Sequence, residues 1–313
     1  MEKLVERDSA TRNPLVAAPA LAVQFFLIPL AVVGIAVLGY VGFRSMVAEQ
    51  RTAQECLTEV RNGTRGGRWL AAMERWDMMG DPKVRADRSL IPSLMAAFEE
   101  AKGDDPRVRQ YLALAISRVD PPLPADAVAT LLDALNEEDA GARISAICAL
   151  GASGDPAVAA KLQPLYSSED AGIRKMVVYS LGALPGDTQL STLSAALHDQ
   201  EPDVQWNAAI ALARHNDHQG AAVVQQMLDR SYVEQKVKRQ ARQDQNIDPV
   251  ADVIISGLRA AASLKDDALK ASVGSLSQHD RSMKVRQAAM EALKVMGSLR
   301  VGTEAAWLMS RRL

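Results

Sequence analysis

The stretch Asp139-Ala-Gly-Ala-Arg143-Ile-Ser-Ala-Ile-Cys-Ala-Leu-Gly151 places an arginine before a run of alanines and aliphatic residues at helical spacing. The same order returns as Asp170-Ala-Gly-Ile-Arg174-Lys-Met-Val-Val-Tyr-Ser-Leu-Gly182, and with a glutamine in place of the arginine at Pro202-Asp-Val-Gln205-Trp-Asn-Ala-Ala209. The anchor positions 109, 143, 174 and 205 are separated by 34, 31 and 31 residues. A period in this range predicts helical pairs that stack side by side, because one pair cannot bury its apolar face alone.

Breaks between the predicted helices support this organisation. Prolines and glycines punctuate the chain at Pro121-Pro122, at Gly154-Asp155-Pro156 and at Pro185-Gly186-Asp187. About seven helical pairs follow from this spacing, and they predict an all-α solenoid over residues 49–313. An insertion near residues 231–248 interrupts the rhythm, and the tail Thr303–Leu313 is expected to cap the last pair.

Composition narrows the class of protein. Aromatic residues make up only 4% of the 313 residues, which suits thin helices that pack closely on small side chains. The net charge of −2 argues against nucleic-acid binding by bulk electrostatics. Cys56 and Cys148 stand alone and far apart, so they predict neither a disulfide framework nor a metal motif.

The N-terminal segment has a different character. No charged residue occurs from Leu15 to Phe43, and residues 25–43 are apolar enough to cross a hydrocarbon core of about 30 Å. A buried helix of a soluble domain and a cleaved signal peptide are the alternatives. The first would show a polar stripe, and the second would have a shorter apolar run that ends in a small-residue cleavage site. We therefore predict a single-pass transmembrane helix over residues 15–45, preceded by a tail over residues 1–14.

Basic residues flank this predicted span on both sides, and their numbers favour neither orientation strongly. The N-terminal flank has its amino terminus and Lys3, Arg7 and Arg12; the other flank has Arg44, Arg51, Arg61, Arg65 and Arg68. Because basic residues accumulate on the cytoplasmic side, the small excess on the second flank favours a cytoplasmic solenoid.

The repeats resemble HEAT repeats, and more closely the bacterial short-HEAT type that is also called PBS-lyase-like. The segments that carry the resemblance are Asp139–Arg143, Asp170–Arg174, Pro202–Ala209 and Ser282–Ala289, within a region of about residues 66–297. The resemblance implies a right-handed α-solenoid. The apolar opening at Gln24 and the Arg-Trp-Leu-Ala-Ala element at Arg68 also resemble membrane-anchored bacterial HEAT-repeat proteins, which implies a bacterial inner-membrane protein.

The repeated arginines permit two interpretations. They could form a basic ladder for acidic peptides or phosphate, or they could pair with aspartates of neighbouring turns and hold adjacent repeats together. We favour the stacking role, because aspartates recur about four residues before the anchors. The predicted stacking residues are Arg109, Arg143, Arg174 and Arg286, with Asp105, Asp139, Asp170 and Asp203 as their partners.

Sequence motifs for catalysis or cofactor binding are not evident. No dinucleotide-binding or phosphate-binding glycine loop occurs, and Ser153 lacks the spacing of a nucleophile elbow. His215 and His218 lie three residues apart, but a zinc site would need two further ligands. The sequence therefore predicts no catalytic, cofactor or metal residues, no small-molecule substrate, and a protein that is not an enzyme.

Two groups of residues are candidates for contact with a partner or a lipid surface. The first is the basic cluster of the insertion, Lys236, Lys238, Arg239 and Arg242, which could instead be a solvated helix extension. The second is Trp69 and Trp76, which lie seven residues apart on one helix face and could instead belong to the core.

These observations predict a membrane-anchored scaffold. Its second helices would form a concave surface that binds a protein partner, expected to be a subunit of an inner-membrane complex. The alternatives are a lyase-like role in chromophore or cofactor attachment, which the resemblance to PBS-lyase-like proteins implies, and a regulatory protein that binds a lipid surface through the basic insertion.

Overall fold

The computed structural model describes residues 53–237 and 248–310. The chain divides between Thr52 and Ala53, and the account below concerns the second unit alone. The predicted tail 1–14 and the predicted span 15–45 lie outside the described residues, as do Lys238, Arg239 and Arg242. Among the helices described, none has the length and apolar character needed to cross a membrane.

Helices follow one another in pairs, each with a first and a second member. The first four pairs are α1 (Ala53–Asn62) with α2 (Arg65–Met78), α4 (Leu90–Glu100) with α5 (Pro106–Ile116), α6 (Ala125–Asp133) with α7 (Ala140–Gly151), and α8 (Ala159–Leu162) with α9 (Ala171–Leu181). The short helix α3 (Pro82–Ala86) lies between the first and second pairs.

The remaining pairs are longer or more irregular. They are α10 (Leu190–Ala196) with α11 (Pro202–Arg214), then α12 (Ala221–Met227) and α13 (Arg230–Lys236) with α14 (Pro249–Leu264), and finally α15 (Lys270–His279) with α16 (Met283–Ser310). Helix α13 occupies the beginning of the predicted insertion.

Aspartates start many of these helices. Asp105, Asp139 and Asp170 each accept hydrogen bonds at a helix N-terminus, from the backbone N–H of Arg107, Ala142 and Gly172 respectively. At Asp105-Pro106 and Asp248-Pro249 the proline fills the first helical position, where its missing N–H costs nothing. This local chemistry explains why the helix starts were predictable from sequence.

The second helices form one continuous row: α2, α5, α7, α9, α11, α14 and α16 each pack against the next in that order. The core lies between this row and the first helices, and it is built from leucine, valine, isoleucine and many alanines. Small side chains let neighbouring helices approach closely, as the low aromatic content predicted.

The structure differs from the predicted helices at two places. The repeat spacing predicts one helix over residues 156–166, and the structure divides it into a 3₁₀ turn (Pro156–Val158), α8 and a second 3₁₀ turn (Gln163–Ser167). Pro164 accounts for the second break, because proline lacks the N–H that an α-helix needs in its interior. The tail from Thr303 continues α16 as far as Ser310 and is not a separate cap.

All regular structure in the described residues is helical, and no strand occurs among them. The all-α class and the solenoid architecture are therefore confirmed for this part of the chain. The hand of the solenoid and the transmembrane helix remain predictions.

Candidate functional site: the row of second helices

Close packing between second helices is a feature of the middle of the row. A methyl group added to Gly151 of α7 would lie 2.5 Å from Cβ of Ser180 on α9, and one added to Gly182 would lie 2.3 Å from Cβ of Ala211 on α11. Ser180 also donates from Oγ to the carbonyl of Ile147 at 2.9 Å. These contacts fix the spacing and register of α7, α9 and α11 along the row.

The repeated anchor residues share one contact with their own repeat. Arg143, Arg174 and Arg286 each donate to the backbone carbonyl six residues earlier, which belongs to Glu137, Ser168 and Asp280 respectively. Gln205 makes the same bond to the carbonyl of Asp199 at 2.6 Å. Its departure from the arginine pattern therefore preserves the hydrogen bond and loses only the charge.

A second contact joins adjacent repeats. In three places an arginine of one pair forms an ion pair with an acidic side chain of the next pair. The backbone carbonyl of that acidic residue also accepts a hydrogen bond from the anchor side chain of the acidic residue's own pair. We call this arrangement a junction clamp. The clamps are Arg109–Glu137–Arg143, Arg174–Asp199–Gln205 and Arg230–Asp280–Arg286.

The clamp at Asp199 shows the chemistry clearly. Both nitrogens of the Arg174 fork, Nε and Nη2, donate to the carboxylate at 2.9 and 3.0 Å. Burial of Asp199 opposes its ionisation, but the bonds from Arg174 and from the backbone N–H of Glu201 outweigh burial and lower the pKa of the carboxyl. Burial, reinforced by the charge of Asp199, raises the pKa of Tyr166 to about 12, and its hydroxyl donates to the same carboxylate at 3.2 Å.

The aspartates that the sequence assigned as partners of the repeated arginines make other contacts in the structure. Asp105, Asp139 and Asp170 cap the N-termini of α5, α7 and α9, and Asp203 pairs with Lys175 at 2.9 Å. An aspartate at an N-cap points its carboxylate at the helix N–H groups, which turns it away from an arginine further along the helix. Asp139 also accepts from Gln110 of the preceding pair at 2.9 Å, and Lys175 belongs to the pair before Asp203, so a stacking role for these aspartates stays a prediction.

Two of the repeated arginines, Arg109 and Arg174, are also not free to bind an anion. Arg109 is only 6% exposed, lies over the Phe98 ring at 3.9 Å, and donates to the Phe98 carbonyl. Three nitrogens of Arg174 donate hydrogen bonds within the protein, to the Asp199 carboxylate and to the Ser168 carbonyl. Whether the clamps determine how the repeats stack remains a prediction, to which the Discussion returns.

At its N-terminal end the row carries a stack of five side chains. Trp69 of α2 stacks on Tyr111 of α5 with ring centres 6.5 Å apart. The ring centre of Trp76 lies 6.1 Å from that of Tyr111. Arg107 lies over Trp69 at 4.5 Å and Arg118 lies over Trp76 at 4.2 Å. Both tryptophans are partly buried, so each has one face against the core and a part accessible from outside. We call this group the aromatic stack.

A cleft opens further along the row, between α9, α11 and α14. It has a volume of about 360 Å³, and the side chains that line it include Tyr179, Asn207, Arg214, Ser256, Arg259 and Ser263. The guanidinium of Arg214 lies 5.7 Å from the centre of the Tyr179 ring, and that ring is 43% exposed. We call this feature the Tyr179 cleft. The sequence analysis did not select it, because its residues come from three helices up to 84 positions apart.

Of the basic insertion residues, only Lys236 is described. It is exposed at the end of α13, with its ammonium 5.7 Å from the Tyr232 ring. Within residues 53–237 and 248–310, no group of histidine, cysteine, aspartate and glutamate is arranged to hold a metal ion.

With this geometry established, similarity to known proteins can be stated. A family model described as HEAT repeats matches residues 91–182 and 164–244. The chain contains HEAT repeats. The resemblance inferred from sequence is therefore confirmed for the repeats, while the membrane anchor and the bacterial origin remain untested. No curated protein sequence shows significant similarity to this chain.

Two solved structures are similar to this chain at low sequence identity. Human deoxyhypusine hydroxylase in complex with glycerol is 19% identical, with 80% of this chain and 98% of that chain covered and a TM-score of 0.34. An engineered protein is 15% identical, with 79% and 96% covered and a TM-score of 0.40. Likenesses this distant assign no activity to this chain.

The first of these structures nevertheless corrects the prediction that the chain is not an enzyme. That structure is of an enzyme, a hydroxylase. The absence of a familiar catalytic motif does not exclude catalysis, because function resides in sites that a fold carries and not in the fold itself. The prediction was wrong because it inferred inactivity from the absence of known motifs.

Proposed function

We propose that this HEAT-repeat protein is a scaffold that binds a protein partner through the row of second helices. The observation that carries the proposal is the aromatic stack. It gathers two tryptophans, a tyrosine and two arginines into one connected group on that row. Tryptophan, tyrosine and arginine are the residues that contribute most often to the energetic centres of protein interfaces.

The stack is also organised in advance. Each arginine rests on an aromatic face, and Arg118 donates to the Trp76 carbonyl at 3.1 Å. Side chains that are already ordered lose little entropy on binding, so more of the contact energy is available for affinity. A partner that covers the exposed part of these rings would complete their burial.

The partner is proposed to be a subunit of an inner-membrane complex, and the scaffold to be held there by the apolar segment 15–45. This finer proposal rests on the sequence of that segment, which is long enough to span a bilayer. Support for the cytoplasmic side comes from the basic residues that follow it.

Site-specific photocrosslinking in the native membrane tests the proposal. A photoreactive phenylalanine analogue at Tyr111 or Tyr179 should give a discrete, saturable adduct with one partner protein. The same analogue at Ser191, an exposed residue of first helix α10, is the matched control and should give none. Equal labelling from all three positions, or no adduct from either row position, would refute partner binding through this surface.

A further inference from the structure

The Tyr179 cleft has an imbalance of charge that suggests its ligand. Arg214 and Arg259 both line the cleft and are exposed. In the part of the chain that the structure describes, no carboxylate lies within ion-pair distance of either guanidinium. The nearby carboxylate of Asp203 is already occupied by Lys175 at 2.9 Å.

This contrasts with the repeated arginines of the row. Arg109 and Arg174 satisfy their charge within the chain, through Glu137 and Asp199. Arg214 and Arg259 keep theirs available. A planar guanidinium with free N–H groups binds a carboxylate through two parallel hydrogen bonds, and this geometry is what makes arginine selective for such groups.

Three other side chains that line the cleft, Ser263, Asn207 and Tyr179, make contacts within the protein. Ser263 donates from Oγ to the Ala213 carbonyl at 3.0 Å, and Asn207 donates to the Asp203 carbonyl at 2.7 Å. The first bond ties α14 to α11, and the second holds the Asn207 side chain against its own helix α11. The Tyr179 ring lies beneath Arg214, which keeps that guanidinium from collapsing onto the protein surface.

We propose that the Tyr179 cleft binds an acidic peptide segment of the protein partner, with Arg214 and Arg259 each receiving one carboxylate and Tyr179 packing against the aliphatic part of the segment. The inference rests on the proposed scaffold function and identifies the chemistry of its partner. A volume of about 360 Å³ accommodates one or two glutamate or aspartate side chains and not a folded domain. An extended segment that lies along the row and places two acidic side chains in the cleft fits these dimensions.

Fluorescence anisotropy with the full-length protein in neutral detergent tests this inference. The probes are a labelled decapeptide rich in glutamate and aspartate, the same peptide with glutamine and asparagine, a neutral peptide with one phosphoserine, and vesicles containing phosphatidylglycerol. The acidic peptide should bind, and the amide peptide should not. Arg214→Gln and Arg259→Gln should each weaken binding about tenfold, since a hydrogen bond to a charged group contributes roughly that much.

The matched control removes the same two charges elsewhere. Lys102→Gln with Lys161→Gln changes exposed cations that lie outside the cleft, and it should leave the affinity within about twofold because screening weakens distant charges. Thermal unfolding by circular dichroism checks that all variants fold. Tyr179→Phe should retain binding and Tyr179→Ala should weaken it.

Three outcomes would overturn the inference, and a fourth would reject the scaffold function alone. Equal weakening by the lysine control would show non-specific attraction. Preference for the phosphoserine peptide, or for vesicles over the acidic peptide, would assign the cleft to phosphate or to a membrane surface. A partner crosslink at Tyr179 that survives Arg214→Gln with Arg259→Gln would reject the acidic segment while retaining the scaffold. Peptide binding without any crosslink would retain the cleft chemistry and reject the scaffold function.

Discussion

At the scale of single residues, the tightest requirement of the fold falls on glycine. Gly151 has its Cα against Ser180 of the next repeat, and an added Cβ would lie 2.7 Å from the Ser180 Cα. Backbone atoms at that distance cannot move aside as a flexible side chain could. The residue is small because the next helix occupies the space that a side chain would need.

We therefore expect Gly151→Ala to lower the free energy of unfolding by about 1–3 kcal/mol, since overpacking forces the two helices apart. Gly274→Ala in α15 is the matched control, because nothing lies within 4 Å of its added Cβ. There alanine should be neutral or stabilising, through its higher helix propensity. Urea unfolding monitored by circular dichroism measures both, and equal effects at the two positions would contradict the packing argument.

The burial of Arg75 was not expected from the sequence. Arg75 is fully buried in α2, and among the residues that the structure describes none donates or accepts a hydrogen bond with its guanidinium nitrogens. Burial lowers the pKa of this guanidinium, and electrostatic interactions with Cys56 and Asp87 oppose that shift in part. A buried charge without hydrogen bonds is unfavourable, so this residue works against the stability of the first pair.

Arg75→Met should consequently raise the melting temperature, since methionine fills a similar volume without a charge to desolvate. Arg68→Met is the contrasting variant, because Arg68 is paired with Asp104 at 2.7 Å, and it should lower the melting temperature. Differential scanning calorimetry of the full-length protein distinguishes the two. A loss of stability in both variants would show that the Arg75 charge has a favourable role.

At the scale of helical elements, the junction clamps connect one pair with the next. Arg174 and Asp199 are largely buried, at 16% and 5% side-chain exposure. On the same helix, the neighbouring pair Lys175–Asp203 is exposed to solvent at both ends. The two pairs therefore allow the effect of burial to be compared at one junction.

Arg174→Ala should cost about 2–4 kcal/mol, because it leaves the Asp199 carboxylate buried without its main partner. Lys175→Ala should cost less than about 1 kcal/mol, as exposed ion pairs generally do. A double-mutant cycle with Asp199→Ala isolates the pairwise contribution. If Arg174→Ala were as mild as Lys175→Ala, the clamp would have no role in stacking.

The clamps also predict a dependence of stability on pH. The pKa of Asp199 and of Asp280 is lowered in the folded protein, so near pH 4 the unfolded chain binds more protons than the folded one. The stabilisation is complete above the unfolded aspartate pKa of about 3.9 and is lost as the pH falls through the folded value. Chemical unfolding at pH 3 and pH 6 should show a smaller difference in Asp199→Asn than in the unchanged protein.

At the scale of the whole molecule, the question is how the solenoid reaches its partner. The segment 15–45 is predicted to hold it at a membrane. Deletion of that segment should move the protein from the membrane pellet to the supernatant, whereas the intact chain should resist extraction with alkaline carbonate. A reporter fused at Leu313 should be active on the cytoplasmic side; activity only on the opposite side would reverse the predicted orientation.

The extent of what sequence could predict differs among the parts of the row. The helix starts at Asp139 and Asp170 were predictable, because capping is a contact between residues two or three apart. The acidic partners of the arginines were not, because Glu137 and Asp199 lie 28 and 25 residues from Arg109 and Arg174. Asp105 and Asp170 lie closer in sequence to these arginines, but their carboxylates cap helix N-termini.

By itself, the sequence determined the helical class, the pairing of helices, the period of the repeats and the apolar character of the N-terminal segment, since each depends on spacing and composition within a few helical turns. Only the tertiary structure decided which arginines form ion pairs within the fold and which could bind a carboxylate of another molecule. That distinction depends on the distance between side chains from different pairs, and Arg214 and Arg259 are set apart from Arg109 and Arg174 by their neighbours and not by their type. The sequence determines which residues are charged, whereas the packing of the helices determines which of those charges have a partner of opposite sign.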